Sequence, residues 1–96
     1  MRPSLALEPR RQAVRETVGH FPLANPRVFG STMNGTDRDG SDLDLLVDAL
    51  HGATLFDLGG LREELERLLG VAVEVLTPED LPPAFRARVV AEARPI

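Results

Sequence analysis

Two aspartates one residue apart are the clearest candidates for chemistry in this chain. Asp42 and Asp44 flank Leu43 and open the apolar run Leu43–Val47, which has the composition of a buried strand. Side chains at positions i and i+2 of a strand point to the same face, so the two carboxylates should lie side by side. Carboxylates this close repel each other unless a cation lies between them, and Mg²⁺ prefers such hard oxygen ligands. The spacing therefore predicts a divalent metal site at the head of this strand.

A glycine turn precedes the aspartates, with ten residues between Ser31 and Asp42. The strand-type pair Val28-Phe29 ends at Gly30, which can adopt backbone angles closed to other residues and lets a ligand approach the main chain. Ser31 is a favoured helix N-cap, and a short helix would follow. Unpaired N–H groups at such a helix start attract anions. The turn is therefore predicted to bind phosphate.

Each of these motifs is common by itself, as a tight turn or a solvated loop. Residues 36–41 combine Gly, Ser and Asp, which is typical of a loop. Asp37, Asp39 and Asp48 are accordingly expected to be solvated loop residues rather than ligands. The phosphate turn and the paired carboxylates together are far more specific than either motif alone.

The stretch resembles the signature of the nucleotidyltransferase superfamily that includes DNA polymerase beta. The resemblance extends over nearly the whole chain, which is similar to the minimal nucleotidyltransferases, the MntA-like antitoxins encoded beside HEPN-type ribonuclease toxins. The residues that carry it are Gly30-Ser31, Asp42-Leu43-Asp44, the flanking Phe29, Gly35, Ser41 and Leu45-Leu46-Val47, and the segments Ala53–Leu58 and Val75–Pro78.

The resemblance implies an α/β (α+β) fold with a small mixed sheet of at least three strands covered by helices. It also implies three metal-binding and catalytic carboxylates: Asp42, Asp44 and, where relatives usually carry aspartate, Glu74. Glu74 would help to hold Mg²⁺ and would take the proton of the acceptor hydroxyl. The alternative is an exposed strand glutamate without a catalytic role. The residues expected to bind ATP are Gly30, Ser31, Asn34, Gly35 and Ser41.

The implied activity is transfer of AMP from ATP to a hydroxyl on a HEPN-type toxin partner. Two alternatives remain open: a non-catalytic antitoxin that neutralises its partner by binding, and a small-molecule adenylyltransferase of the antibiotic-modifying type. The short chain argues against the second unless a dimer builds the acceptor site. This chain has no tyrosine, so it cannot modify itself on tyrosine.

The phosphate turn departs from the pattern of close relatives, which often read Gly-Ser-Arg-Ala-Arg-Gly. Here the turn is Gly30-Ser31-Thr32-Met33-Asn34-Gly35, without either arginine. An arginine from elsewhere in the chain, with Arg38 nearest in sequence, or one from a partner could replace them.

Composition narrows the class of protein. Ninety-six residues, 43% of them hydrophobic, predict one globular domain over residues 1–96. The absence of cysteine excludes disulfides and cysteine-based zinc sites. No apolar run approaches the ~20 residues that span a membrane, and the N terminus lacks a signal-peptide core, so a cytoplasmic location is expected. The net charge of −4 does not favour nucleic acid as a direct partner, whereas a homo- or hetero-oligomer is compatible with it.

The apolar periodicity and the capping residues predict alternating helices and strands. Phe85, Val89 and Val90 are expected to pack the last helix, and Gly59-Gly60 is expected to allow close packing against the sheet. The leucine stripe Leu55, Leu58, Leu61, Leu65, Leu68 and Leu69 is predicted to lie in the core. The predicted elements are a helix over 4–19, a strand from about Arg27, a short helix before Gly35, a strand over 43–47, a helix from Thr54 to Leu69, a strand over 71–76 and a helix over 83–93. Pro9 fits best in a first turn, so the ordered part of the first helix is expected to begin near Glu8.

Overall fold

A four-stranded mixed sheet forms the centre of the computed structural model, which describes all 96 residues. The strands are β1 (Leu23–Phe29), β2 (Leu43–Ala49), β3 (Val73–Leu76) and β4 (Arg94–Pro95), in the spatial order β3-β2-β1-β4. β2 and β3 are parallel, whereas β1 is antiparallel to both β2 and β4. The mixed sheet confirms the predicted fold class. The short β4 was not predicted, because two residues that end in proline carry no strand pattern.

Five α-helices surround this sheet. They are α1 (Pro3–Leu7), α2 (Arg11–Val18), α3 (Gly30–Asn34), α4 (Leu55–Leu69) and α5 (Pro83–Glu92), with 3-10 turns at Glu8–Arg10 and Pro78–Asp80. The helix predicted over 4–19 is interrupted at Pro9, because proline lacks the N–H that a continuous helix requires. α4 begins after Thr54 as predicted, and Thr54 and Asp57 form a capping box. No helix has both the length and the apolar content needed to cross a bilayer.

The core lies on one face of the sheet. The alternating residues of β2 and β3, among them Leu43, Leu45 and Val73, point into it and meet buried side chains of α1, α2 and α4. The opposite face carries Phe29 of β1, Asp44 and the buried Leu46 of β2, and Glu74 of β3. The hydrophobic face thus fixes the register of the strands, and the register in turn places the polar residues together on the other face.

Two expectations about α4 are corrected. Leu61, Leu65 and Leu69 are buried as predicted, but Leu55 is 81% exposed because it lies in the first turn, beyond the edge of the core. The Gly59-Gly60 pair does not serve contact with the sheet. A Cβ at Gly60 would meet the Phe21 ring at 2.9 Å, so this glycine makes room for an aromatic side chain that precedes β1.

The last helix packs less closely than the sequence predicts. No residue of α5 is buried, and Phe85 is 50% exposed. The helix is held at its ends instead. The Arg86 guanidinium donates hydrogen bonds to the carbonyls of Pro78 (2.8 Å), Glu79 (3.2 Å) and Leu81 (3.0 Å), and β4 follows directly and pairs with β1.

β1 begins at Leu23, four residues before the predicted start near Arg27. Asn25 and Pro26 lie before the predicted start, yet the strand continues through them. A bulge between Ala24 and Arg27, with Asn25 at φ 56°, accommodates the proline without ending the strand.

Asp37 is buried, so the expectation that it is a solvated loop residue is wrong. Its carboxylate accepts hydrogen bonds from the Ser4 backbone N–H (2.8 Å), the Ser4 hydroxyl (3.1 Å) and the Arg2 guanidinium (3.3 Å). It therefore caps the N terminus of α1 from a distant loop. The hydrogen bond from the Ser4 N–H, reinforced by Ser4 Oγ and Arg2, holds the pKa of Asp37 below its ordinary value.

We expect Asp37→Ala to lower the melting temperature at neutral pH, because it leaves the start of α1 uncapped. A lowered folded-state pKa means that this contribution is present above the pKa of the unfolded chain and is lost as pH falls through the folded-state pKa. Thermal unfolding of Asp37→Ala and of the exposed control Asp39→Ala tests the assignment. Equal melting temperatures for the two variants at pH 7 would contradict it.

Candidate active site

The sheet brings the three predicted carboxylates together. Asp44 of β2 is in register with Glu74 of parallel β3 on one side and with Phe29 of antiparallel β1 on the other. Residues in register on neighbouring strands share a face, so Asp44 and Glu74 project together from the side opposite the core. Asp42 directly precedes β2, two residues from Asp44. The acids thus form a cluster at the beginning of two adjacent parallel strands.

The electrostatics of this cluster centre on Asp44. Its side chain is half-buried, and burial raises its pKa to about 6, with the negative charges of Glu74 and Asp42 adding to the effect. A carboxylate that is hard to ionise because of burial and like charge is stabilised by a nearby cation. The cluster therefore has the electrostatic character expected of a cation site.

Gly30 closes one side of this cluster. It adopts φ 70°, a left-handed conformation that favours glycine. A Cβ at this position would overlap Oδ2 of Asp44 and would lie 3.3 Å from its Cγ. The backbone at Gly30 therefore lies directly against the Asp44 carboxylate, and a side chain here would displace either the acid or the turn.

The donor set fits a magnesium ion that is completed by its substrate. No three acidic or histidine side chains have the geometry of a preformed metal site. Mg²⁺ usually takes one or two protein carboxylates and fills its other positions with phosphate oxygens and water, so a complete protein cage is not required. Asp42 and Asp44, with Glu74 beside them, would hold the ion. The three-ligand metal site itself stays a prediction.

The phosphate turn differs from the predicted one in its first residue. α3 begins at Gly30 with Phe29 at the N-cap, so Ser31 is not the cap, and its hydroxyl remains free of hydrogen bonds within the protein. Gly35, at φ 72°, ends α3 as predicted, and its N–H donates to the Ser31 carbonyl. The left-handed angle of Gly30 already turns the chain from strand to helix, which makes a side-chain cap unnecessary.

Two further predicted nucleotide-binding residues lie in different surroundings. Asn34, in the last turn of α3, lines a cavity together with Gly30. The Ser41 hydroxyl oxygen accepts a hydrogen bond from the Arg38 backbone N–H at 2.8 Å, which closes the loop before Asp42. Ser41 therefore positions this loop in the structure, and its contact with nucleotide stays a prediction.

Two concavities flank the acid cluster. The β3 groove has a volume of ≈ 430 Å³ and runs along the outer edge of the sheet past Asp42 and Glu74, with Arg62 and Glu66 of α4 on its other wall. The Gly30 cavity has a volume of ≈ 170 Å³ and is lined by Phe29, Gly30, Met33, Asn34, Arg88, Val89 and Glu92.

Sequence patterns gave no signal for Arg62, Glu66, Arg88 or Glu92. Only the packing of α4 and α5 brings these four residues to the two cavities.

The fold and the site together define a class of enzyme. A small mixed sheet presents clustered acids beside a glycine turn, and this arrangement is suited to the transfer of nucleotidyl groups. The chain belongs to the nucleotidyltransferase family, because the family model described as "Nucleotidyltransferase domain" matches residues 11–96. A Methanocaldococcus jannaschii protein, MJ0435, whose name assigns it as a protein adenylyltransferase, is 39% identical over 66 residues, 69% of this chain and 71% of that protein. The protein adenylyltransferase MntA of Thermococcus cleftensis is 35% identical over 78 residues, 81% of this chain and 79% of that protein.

Solved structures show the same fold. One, described as a minimal nucleotidyltransferase, has a TM-score of 0.86 and 41% identity, covering 97% of this chain and 95% of that one. A chain from a crystal structure described as a toxin-antitoxin with AMP-PNP has a TM-score of 0.74 at 20% identity, covering 88% of this chain and 69% of that one. The second likeness concerns the fold alone. The protein is thus a nucleotidyltransferase of minimal size.

Proposed function

We propose that this nucleotidyltransferase transfers AMP from ATP to a hydroxyl on a partner protein, in a reaction that depends on Mg²⁺. The observation that carries the proposal is the arrangement of the acid cluster. Asp44 and Glu74 are in register on neighbouring strands, Asp42 lies next to them, and the Gly30 backbone lies against Asp44. The names of the two relatives, both described as protein adenylyltransferases, support the choice of AMP and of a protein acceptor.

In this proposal the triphosphate of ATP lies on the glycine turn. The backbone at Gly30 and the free Ser31 hydroxyl are the groups available to bind its oxygens, and Asn34 lines the same cavity. Asp42 and Asp44 hold the Mg²⁺, which supplies neutralisation of negative charge on the phosphates and on the leaving pyrophosphate. Catalysis then depends largely on positioning and charge, as in other phosphoryl-transfer reactions.

The bond changes follow from this arrangement. The acceptor hydroxyl oxygen attacks the α-phosphorus of ATP, and a new O–P bond forms while the bond from the α-phosphorus to the bridging oxygen breaks. Pyrophosphate leaves with the electron pair of that bond. The hydroxyl proton passes to the Glu74 carboxylate, which is exposed and lines the β3 groove beside Asp42.

The acceptor comes from a second protein in this proposal. The β3 groove is open to solvent along the acid cluster, so a residue of another chain can reach it. The chain has no tyrosine of its own to modify. Since the neighbouring fold is described as part of a toxin-antitoxin structure, we propose that the partner is a toxin of the HEPN type and that this protein is its antitoxin. Both ATP and such a partner would place it in the cytoplasm.

Transfer of label tests the function. The protein, copurified with the product of its neighbouring reading frame, is incubated with Mg²⁺ and ATP labelled at either the α- or the γ-phosphate. We expect label on the partner from α-labelled ATP only, and none with Asp42→Asn, whereas the control Asp39→Asn should behave as wild type. A partner that is inhibited without ever acquiring label would contradict enzymatic transfer and would support neutralisation by binding. Label on a small molecule alone would support the antibiotic-type activity.

Glu74→Gln should slow transfer by about 10²-fold, because a positioned general base contributes on that order. Nucleotide affinity should change little, since a neutral amide of the same shape leaves Asp42 and Asp44 in place. Glu74→Asp, the residue usual in relatives, should retain transfer. Rates measured at saturating ATP separate the two effects. Wild-type rates for Glu74→Gln would show that this residue is an ordinary exposed strand glutamate.

A further inference from the structure

The acid cluster and the triphosphate of ATP together carry a large negative charge, and the glycine turn has no basic residue to offset it. From Gly30 to Asp37 the chain has no arginine, and the protein has no lysine. Mg²⁺ neutralises only part of this charge. A cation supplied from another element is therefore needed if nucleotide is to bind tightly.

Most arginines of the chain are unsuited to this role by their positions. Arg38, the nearest in sequence, lines neither the Gly30 cavity nor the β3 groove, and Arg62 lines the β3 groove but not the Gly30 cavity that contains the glycine turn. Several others are already engaged with acidic side chains or carbonyl oxygens elsewhere in the fold. The engaged residues are Arg2, Arg11, Arg15, Arg27 and Arg86.

Arg88 lies in the right place. It projects from α5 into the Gly30 cavity, where Gly30 and Asn34 form part of the opposite wall. It forms no ion pair or hydrogen bond within the protein, so the donor groups of its guanidinium are free. The Phe85 ring lies 5.8 Å from its guanidinium carbon, a cation–π distance that restricts the side chain without using its N–H groups.

The surrounding helix is held independently of Arg88. Arg86 fixes the start of α5 to the carbonyls around Pro78, and the pairing of β4 with β1 fixes the chain just after its end. Arg88 therefore takes no part in anchoring α5, whereas Arg86, two residues earlier, does. An arginine that is exposed and unpaired, lines the Gly30 cavity and is mounted on an anchored helix is available to bind a ligand.

We propose that Arg88 binds the β- and γ-phosphates of ATP and supplies the positive charge that the glycine turn lacks. The proposal rests on the proposed function, because it assigns a residue to the same nucleotide site. A guanidinium can donate two parallel hydrogen bonds to a phosphate, which gives both affinity and orientation. The contact should therefore matter for a nucleotide that carries a pyrophosphate tail and not for AMP.

Calorimetric titration with nucleotides of different length tests this assignment. The probes are α,β-methylene-ATP, which cannot donate AMP, together with ADP and AMP, all in Mg²⁺. For Arg88→Ala we expect the affinity for α,β-methylene-ATP to fall by at least about tenfold, that for ADP to fall less, and that for AMP to stay within about twofold. Arg88→Lys should recover part of the loss, because it restores the charge but not the paired donors.

The control is Arg67→Ala, which removes one exposed positive charge from α4 and should leave all three affinities unchanged. Melting temperatures of the Arg88 and Arg67 variants should match that of wild type. An Arg88→Ala protein that binds α,β-methylene-ATP as wild type does overturns the assignment. The assignment is also overturned if Arg88→Ala loses as much affinity for AMP as for α,β-methylene-ATP. It is overturned as well if Arg67→Ala loses as much affinity for α,β-methylene-ATP as Arg88→Ala does. If wild type itself binds none of the nucleotides, the proposed function fails and this assignment fails with it.

Discussion

Asp44→Asn is expected to abolish nucleotidyl transfer, by a factor on the order of 10³ or more, while making the metal-free protein more stable. The activity falls because Asp44 lies between Asp42, Glu74 and the Gly30 backbone and is a predicted ligand of Mg²⁺. The stability rises because a half-buried carboxylate beside two other acids disfavours the folded state, and an amide of the same shape carries no charge.

The gain in stability should depend on pH. The folded-state pKa of Asp44 is raised to about 6, so between about pH 4 and pH 6 the folded state binds more protons than the unfolded state. The free energy of unfolding of the wild type in chelator should therefore fall as pH rises through this range. The difference in unfolding free energy between Asp44→Asn and wild type should be near zero at about pH 4 and reach its maximum above about pH 6. A gain of about 1 kcal/mol, discounted for solvent around this side chain, corresponds to roughly 4–8 °C in a domain of this size.

Thermal unfolding in chelator at pH 4 and pH 7 checks the second half of this prediction, and the label-transfer assay checks the first. Asp39→Asn is the matched control, since its carboxylate is exposed and its loss should leave activity unchanged. An Asp44→Asn protein that is less stable than wild type at pH 7 in chelator would show that the cluster is not under electrostatic strain.

Gly30→Ala should reduce transfer by at least about 10²-fold and should also destabilise the fold. The added Cβ would overlap the Asp44 carboxylate, so either the acid or the turn must move, and an error of about 1 Å in a reacting group can cost this much. A left-handed conformation also costs a non-glycine residue about 1–2 kcal/mol. Transfer rates at saturating ATP and thermal unfolding measure the two effects.

Gly70→Ala separates the effect of strain from the effect of the collision. Gly70 has φ 71°, nearly the same as Gly30, but a Cβ there meets no atom within 4 Å. It ends α4, and no side chain of the acid cluster lies within 4 Å of the added Cβ. Gly70→Ala should lose about as much stability as the left-handed backbone angle costs in Gly30→Ala. Its transfer rate should stay that of wild type. Equal activity of the two alanine variants would mean that Gly30 is required only for its backbone angle.

The arrangement of Asp42, Asp44 and Gly30 depends mainly on residues that are local in sequence. The i, i+2 spacing keeps Asp42, directly before β2, close to Asp44 within it, and the positive φ of Gly30 is available chiefly to glycine. Glu74 required one more step, because its position opposite Asp44 depends on the parallel register of β2 and β3.

The remaining features depend on packing between distant elements. Asp37 is an ordinary loop residue by sequence, and only the approach of α1 makes it a cap. Arg88 is a polar residue on a helix that buries none of its side chains, so no periodicity distinguishes it from Arg67. Its relation to Gly30 arises because Arg86 and β4 fix the direction of α5. Contacts between segments that are far apart in sequence leave no local pattern.

The most direct test of the account is the position of a metal ion in the nucleotide complex. In crystals grown with Mn²⁺ and α,β-methylene-ATP, anomalous scattering locates the ion independently of the protein atoms. We predict a peak within coordination distance of carboxylate oxygens of both Asp42 and Asp44 and of phosphate oxygens of a nucleotide lying on Gly30 and Ser31. A nucleotide bound elsewhere, or one on the turn with no metal between it and the two aspartates, would contradict the central claim.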